Sequence, residues 1–361
     1  MAYIFRFLLF IFILTGFLAA KDFEVKKVVS NLGIPWGMAF LDKQKVLITS
    51  KNGDIFLLDL KSNILNKLKN TPNIYQKGQG GLLDVQLSPK FKKDSWIYFT
   101  YSKKLGNKGV TVLARGKLKD DSFYDWQELL VTKSATNSGV HFGSRITFDD
   151  KGYLYFGVGD RGYRPNGQDI NTHAGSIIRL HLDGSVPKDN PFVGKYGLDE
   201  IYSYGHRNPQ GLFFDKQRKI LFECEHGPRG GDEINIIKKS QNYGWALISH
   251  GKEYWSFEDV GIAKSKKGMV DPINVYIPSI APSSLLVYSG KVFKQWKGDL
   301  FLGALALKHL NRIVLDKDLN VIKEQKLFSD LDSRIRNVVE SMDGYIYFST
   351  DSGDIYKIVP K

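Results

Sequence analysis

A chain of 361 residues with 13% aromatic side chains, 35 glycines and a formal charge of +13 can bury a large core and is rich in the residues that strands and tight turns use. Its single cysteine, Cys224, excludes an intramolecular disulfide, so packing alone has to hold the fold. The basic excess lies in surface-type lysine runs such as Lys264, Lys266 and Lys267, with no aromatic-interleaved basic stripe and no recognition helix, which argues against a nucleic-acid partner.

Residues 1–20, MAYIFRFLLFIFILTGFLAA, place Arg6 ahead of an apolar core and end in Ala19 and Ala20 before the charged KDFEVKK. That is the layout of a secretory signal peptide, with an uncleaved N-terminal tether as the alternative, and it implies export to the periplasm. The apolar stretch is short for a full crossing, so the mature form is expected to have no stable membrane span. From residue 21 to residue 361 no linker-like stretch interrupts the pattern, and one domain is expected.

Within that domain an alternating apolar run recurs six times: KVLITSKNGDIFLLDL at 45–60, SWIYFTYSKK at 95–104, GYLYFGVGDRG at 152–162, KILFECEHGPRGGDEI at 219–234, GDLFLGALALKHLNRI at 298–313 and GYIYFSTDSGDIYKI at 344–358. A period of about forty to sixty residues with strand-type alternation is the mark of an all-β ring, a six-bladed β-propeller, whose sheets bury their faces only against one another. The units read as 36–60, 81–118, 143–183, 210–245, 283–315 and 336–359, with 21–32 supplying a strand that completes the last blade. Residues 246–281 read as a long polar insertion, a loop over the channel mouth.

Candidate chemistry falls on the connections. His141 precedes the first strand of the third unit, and Asp160 ends the next strand of that unit; adjacent strands can bring the carboxylate to the imidazole, fix its tautomer and raise the basicity of the other nitrogen, as a general base requires. In YGHRNPQG, Arg207, Asn208 and Gln210 surround a proline on one stiff turn, a donor-rich surface suited to carboxylates or carbonyls, or else an ordinary interblade turn. Glu225, Asp232 and Glu233 flank the glycines of CEHGPRGGDEIN, and oxygen-rich loops of this kind bind Ca²⁺, although carboxylates near glycines are common in turns. Arg334 and Arg336 stand two apart on an expected strand and so point to one face; on a channel-facing strand such a pair calls for a compensating anion, and on an exposed edge it does not.

Together, GQGGLLDVQLSPKF, HFGSRITFDDKGYLYFGVGDRG, QDINTHAGSIIRLHLDGSVPKDNPF, YGHRNPQGL, EHGPRGGDEINIIKKSQNYGW, FLGAL and RIRNV resemble the soluble aldose sugar dehydrogenases that use pyrroloquinoline quinone (PQQ), relatives of soluble glucose dehydrogenase, over nearly the whole mature chain. The resemblance implies that His141 is the general base and Asp160 its orienting acid, and that Gln79 touches the sugar. It implies PQQ contacts for Arg207, Asn208 and Gln210 and for Arg334 with Arg336, and a catalytic Ca²⁺ on the backbone carbonyls of Gly227 and Pro228. The implied reaction takes an aldose to its lactone, with hydride passing to the quinone and onward to an external electron acceptor. One position departs: where the family carries a cofactor-binding lysine after the leucine of 301–305, this chain has Ala306. Lys308 lies two residues on, on the same face of a continuing strand but displaced by roughly 6–7 Å along it, and is the candidate cofactor-binding lysine here.

Ala306 keeps a second function class open, a cofactor-free ring that binds carbohydrate or an exported protein partner. A Ca²⁺-dependent lactonase on a similar ring would need carboxylates converging on the channel, where arginines dominate the candidates.

Overall fold

The computed structural model describes residues 22–361, so the apolar leader expected at 1–20 lies outside the described residues. Six four-stranded antiparallel sheets account for the strands, and their innermost strands, Pro35–Phe40, Leu82–Leu87, Ile146–Phe148, Pro209–Asp215, Pro282–Val287 and Ile335–Glu340, contact one another in cyclic order. The ring is a six-bladed propeller. Among the described residues the one α-helix is the single turn Phe91–Asp94, and no helix is long and apolar enough to cross a membrane.

Each blade packs between two neighbours, so its second strand is covered on both faces. Leu154–Val158 (LYFGV), Leu300–Ala304 (LFLGA) and Ile346–Thr350 (IYFST) are buried at every residue, which is why they read as near-continuous apolar runs. The outermost strands face water and carry little pattern, as in Ile64–Lys67 (ILNK) and Val321–Leu327 (VIKEQKL). For that reason the sequence-based units begin within three residues of the blades but stop short of the fourth strands in the first five. The blades extend over 35–67, 82–131, 146–204, 209–276 and 282–327. The stretch 246–281 is therefore not loop throughout: Asn274–Tyr276 is the outer strand of the fourth blade.

Ring closure joins the two ends of the described chain. Phe23–Val29 pairs antiparallel with Ile355–Pro360 and completes the sixth blade, as the sequence reading expects. Phe23 packs edge-on against Phe293, Trp296 and Phe328, with ring centroids 6.4, 4.7 and 5.8 Å away.

One guanidinium ties all six blades at the hub. Arg145, just ahead of the third blade's inner strand, pairs with Asp84 of the second at 2.9 Å and donates to the carbonyls of Trp36, Gln210, Ser283 and Arg336, from the first, fourth, fifth and sixth blades, at 3.0–3.1 Å. It also lies 3.9 Å over the ring of Trp36. The hub is thus filled by a satisfied polar group, with a separate cavity on either side.

Candidate active site

The inner strands all begin at one end of the channel, and the second strands, running antiparallel, all finish there. The residues that follow the second strands, Lys51, His226, Leu305 and Asp351, together with the entries to the inner strands, consequently line one cavity of about 430 Å³. Its wall includes Trp36, Gln79, Phe142, Gln210, Arg334 and Arg336. The cavity beyond Arg145, about 530 Å³, is lined by residues such as Met38, Phe148, Lys216 and Glu340 and contains no histidine.

His141 and Asp160 meet beside the first cavity, which the adjoining Phe142 and Gly143 line, Nδ1 to Oδ1 at 2.6 Å, with the imidazole 13% and the carboxylate 1% exposed. A carboxylate only accepts, so Nδ1 carries the hydrogen and Nε2 keeps its lone pair. Asp160 is held from three sides: the Gly162 N–H donates to Oδ1 at 2.7 Å and the Trp245 indole N–H to Oδ2 at 2.7 Å. Burial pushes Asp160 up, but the bond and charge of His141 and the charge of Arg207 outweigh it and keep the carboxyl below the ordinary range. Burial, reinforced by Arg207 and opposed by Asp160, holds the His141 imidazole below its ordinary value, hence neutral at pH 7.

The backbone at this point is over-determined. His141 has φ +55°, a left-handed conformation costing ~1–3 kcal/mol for a residue other than glycine. Its N–H donates to Gln79 Oε1 at 2.8 Å, and the buried Arg161 donates to the preceding Val140 carbonyl and to the Ser138 carbonyl at 3.0 Å. Gly159 lets the two segments touch: a Cβ there would lie 2.4 Å from the His141 carbonyl oxygen. Gln79 therefore orients His141 through its oxygen and keeps its amide N–H groups for the cavity.

The turn at Arg207, Asn208 and Gln210 is more inward-looking than the sequence suggests. Asn208 Oδ1 accepts from the Gly143 N–H at 3.3 Å and from Gln210 Nε2 at 3.2 Å, so both side chains brace the His141 loop rather than forming an outward donor face. Gln210 still lines the cavity; Asn208 does not. Arg207 donates to the His226 carbonyl at 3.0 Å and lies 5.3 Å over the Trp245 ring. Glu225 accepts from the N–H groups of Arg207 and Asn208 at 2.5 and 3.2 Å, and Asp232 from Gly227, Ser279 and Ala281 at 2.9, 2.5 and 2.8 Å. Those two carboxylates hold turns.

The carbonyls of Gly227 and Pro228 accept no hydrogen bond from the described residues, and both residues are buried. The backbone there is too close for any side chain: a Cβ on Gly227 would meet the Gly231 and Gly230 carbonyl oxygens at 2.2 and 2.4 Å. A loop with free backbone carbonyls suits a hard cation such as Ca²⁺. Behind it, His206, Glu223 and Glu225 bring ligand atoms within 4.8 Å of one another, all buried, and Glu223 Oε1 has no partner. Burial first, then the charge of Glu225, push the Glu223 carboxyl well above its ordinary value.

On the opposite wall Arg334 and Arg336 converge on Asp351. Arg334 Nε donates at 2.9 Å and Arg336 Nε and Nη2 at 2.7 Å each. The anion that the arginine pair calls for is thus partly supplied by the chain, a residue that the sequence reading overlooks. Arg334 precedes the strand Ile335–Glu340 and is about half exposed, while Arg336 is largely buried. Lys51 joins them, and His226 adds no charge because burial and Arg207 push it down to about 3. Three cations against one carboxylate leave the wall at about +2, and the volume falls in the ~300–1,000 Å³ range of cofactor sites. The wall fits a small polyanion.

Lys308 is not part of this wall. The fifth blade's second strand stops at Ala304 and turns over 305–308, leaving Lys308 with φ +50° and its Nζ on Asp332 at 3.0 Å. The expectation that Lys308 shares a strand face with position 306 fails because the strand does not continue.

Residues 32–357 match the model of the family described as "Glucose / Sorbosone dehydrogenase". Aldose sugar dehydrogenase YliI of Escherichia coli K12 is 36% identical over 353 residues, covering 95% of this chain and 94% of that protein. The solved apo-form structure of the soluble aldose sugar dehydrogenase from E. coli superposes with a TM-score of 0.90 at 36% identity, over 94% of this chain and 100% of that one. The PQQ-bound form of the aldose sugar dehydrogenase from Streptomyces coelicolor has a TM-score of 0.77 at 25% identity, over 94% of this chain and 98% of that one. With the match extending around the whole ring and through every loop of the site, the chain belongs to the glucose/sorbosone dehydrogenase family.

Proposed function

We propose that the protein is an exported, periplasmic aldose dehydrogenase dependent on PQQ and Ca²⁺ that oxidises the anomeric carbon of sugars to the lactone and passes electrons to an external acceptor. The observation that carries this reading is the His141–Asp160 pair beside a cavity that Gln79, the acceptor of the His141 N–H, lines together with Arg334 and Arg336. The S. coelicolor relative, solved with PQQ, supports the cofactor.

The chain's own groups divide the work. Arg334, Arg336 and Gln210 would hold the carboxylate-bearing cofactor, with Arg207 and Asn208 fixing the turn beside it, and the carbonyls of Gly227 and Pro228 would hold Ca²⁺. Bound PQQ supplies a two-electron acceptor that no side chain here provides. The amide of Gln79 positions the sugar. His141 Nε2 takes the proton of the anomeric hydroxyl, and Asp160 stabilises the imidazolium that forms, a contribution of ~10²–10⁴ in rate for a well-placed base. Phe142 and Trp36, both buried, give that cavity an apolar part.

Reconstitution of the purified apoprotein with PQQ and Ca²⁺, followed by dye reduction with a panel of aldoses, tests the reading. Aldose-dependent reduction that a chelator abolishes supports it. Thermal stabilisation by sugar without any by PQQ points instead to the cofactor-free carbohydrate module.

A further inference from the structure

The third cation of the cavity wall comes from an unexpected place. Lys51 is the first residue after the second strand of the first blade, Lys45–Ser50, and that blade adjoins the sixth, which carries Arg334 and Arg336. Its backbone is pinned: the N–H donates to the Ile34 carbonyl at 2.9 Å and its carbonyl accepts from Leu82 at 3.2 Å. The side chain is half-buried in the cavity, where Nζ donates to the Gly78 carbonyl at 2.5 Å.

The environment of that ammonium is unbalanced. Asp351, the acidic residue of the cavity wall, is engaged by both arginines, and among the described residues Lys51 makes no ion pair within 4.0 Å. Burial and the charge of Arg336 lower its pKa, against a weaker pull from Asp351. With one N–H on Gly78, the ammonium keeps two donors for the cavity. A half-buried cation that shares a cavity wall with two guanidinium groups is unfavourable until an anion enters that cavity.

We propose that Lys51 is the third cationic ligand for the carboxylates of the quinone cofactor, filling from the first blade the role that neither Ala306 nor Lys308 fills from the fifth. This rests on the cofactor reading above and adds a residue to it. The anion then binds where the first and sixth blades adjoin at the cavity.

Titration of PQQ into the apoprotein, followed by quenching of tryptophan fluorescence, tests Lys51 without any turnover. K51Q keeps a donor for the Gly78 carbonyl and removes only the charge, so it separates anion binding from bracing of the loop. We expect K51Q to raise the Kd about tenfold at low salt and K51R to stay within threefold of the wild type, the K51Q gap narrowing as ionic strength rises. K308Q, outside the cavity, is expected to leave Kd unchanged. Should K51Q melt early, K51M and K51R at matched stability provide the same contrast. Wild-type binding with K51Q within twofold of it overturns the assignment of Lys51 alone. No PQQ binding by the wild-type protein overturns Lys51 and the cofactor reading together.

Discussion

The Trp245 indole donates to Asp160 Oδ2 at 2.7 Å, the oxygen that His141 does not use. The tryptophan therefore fixes the plane of the carboxylate and, through it, the direction in which His141 Nε2 points. W245F removes that donor and leaves a buried carboxylate oxygen short of a partner. The expected result is a fall in kcat of about tenfold to a hundredfold, with a smaller change in KM, from steady-state kinetics of the reconstituted enzyme.

Replacing His141 itself should cost more. H141Q is expected to lower kcat by about 10²–10⁴ while PQQ still binds, read by fluorescence titration beside activity. Equal activity in the variant would remove His141 from the proton-transfer step.

The pH dependence follows from the depressed imidazole. The base must be neutral to act, so activity is lost as pH falls through the folded pKa of His141, which lies below the ordinary 6.5. The acid limb of kcat/KM should thus lie below pH 6.5. Asp160 raises that pKa, so D160N moves the limb further to acid and lowers the plateau. An acid limb at pH 7 or above would contradict the assignment.

Asp351 links the cofactor wall to stability. Burial raises its pKa, yet the bonds and charges of Arg336 and Arg334 outweigh this and leave it depressed. A depressed carboxyl contributes stability above its ordinary pKa of 3.8 and loses it as pH falls through the lower folded value. D351N should cost about 2 kcal/mol at pH 7, below the usual ~3–5 for a broken buried pair because Arg334 is half exposed. Urea unfolding at pH 7 and pH 3 measures both the loss and its shrinkage in acid.

Arg145 should be the most sensitive residue of the scaffold. R145M strands Asp84 and four inner-strand carbonyls in the hub, and a loss above about 4 kcal/mol is expected by denaturant unfolding. By contrast F23A, which trims the closing strand where it is only partly buried, should cost about 2–3 kcal/mol.

The six-fold repeat, the ring and its closure by the N-terminal strand were legible in the chain because second strands covered on both faces must be apolar throughout. His141 and Asp160 were legible for a related reason: each is a polar residue at the end of such a strand or the entry to one, where no core needs it. Lys51 stands at the same place in its repeat as His226, Leu305 and Asp351, but a lysine in a turn looks like solvated surface until the neighbouring blade is known. The outer strands were missed because one face of each is in water and imposes no alternation.

Local order in the sequence determined the blades, since burial pattern follows from backbone period. Which charges meet was decided only by the tertiary structure. Asp351 between two arginines, Lys308 turned away to Asp332, and Arg145 reaching five other blades are contacts between residues up to 191 positions apart, and electrostatic partnership depends on distance in space, which a linear pattern does not encode.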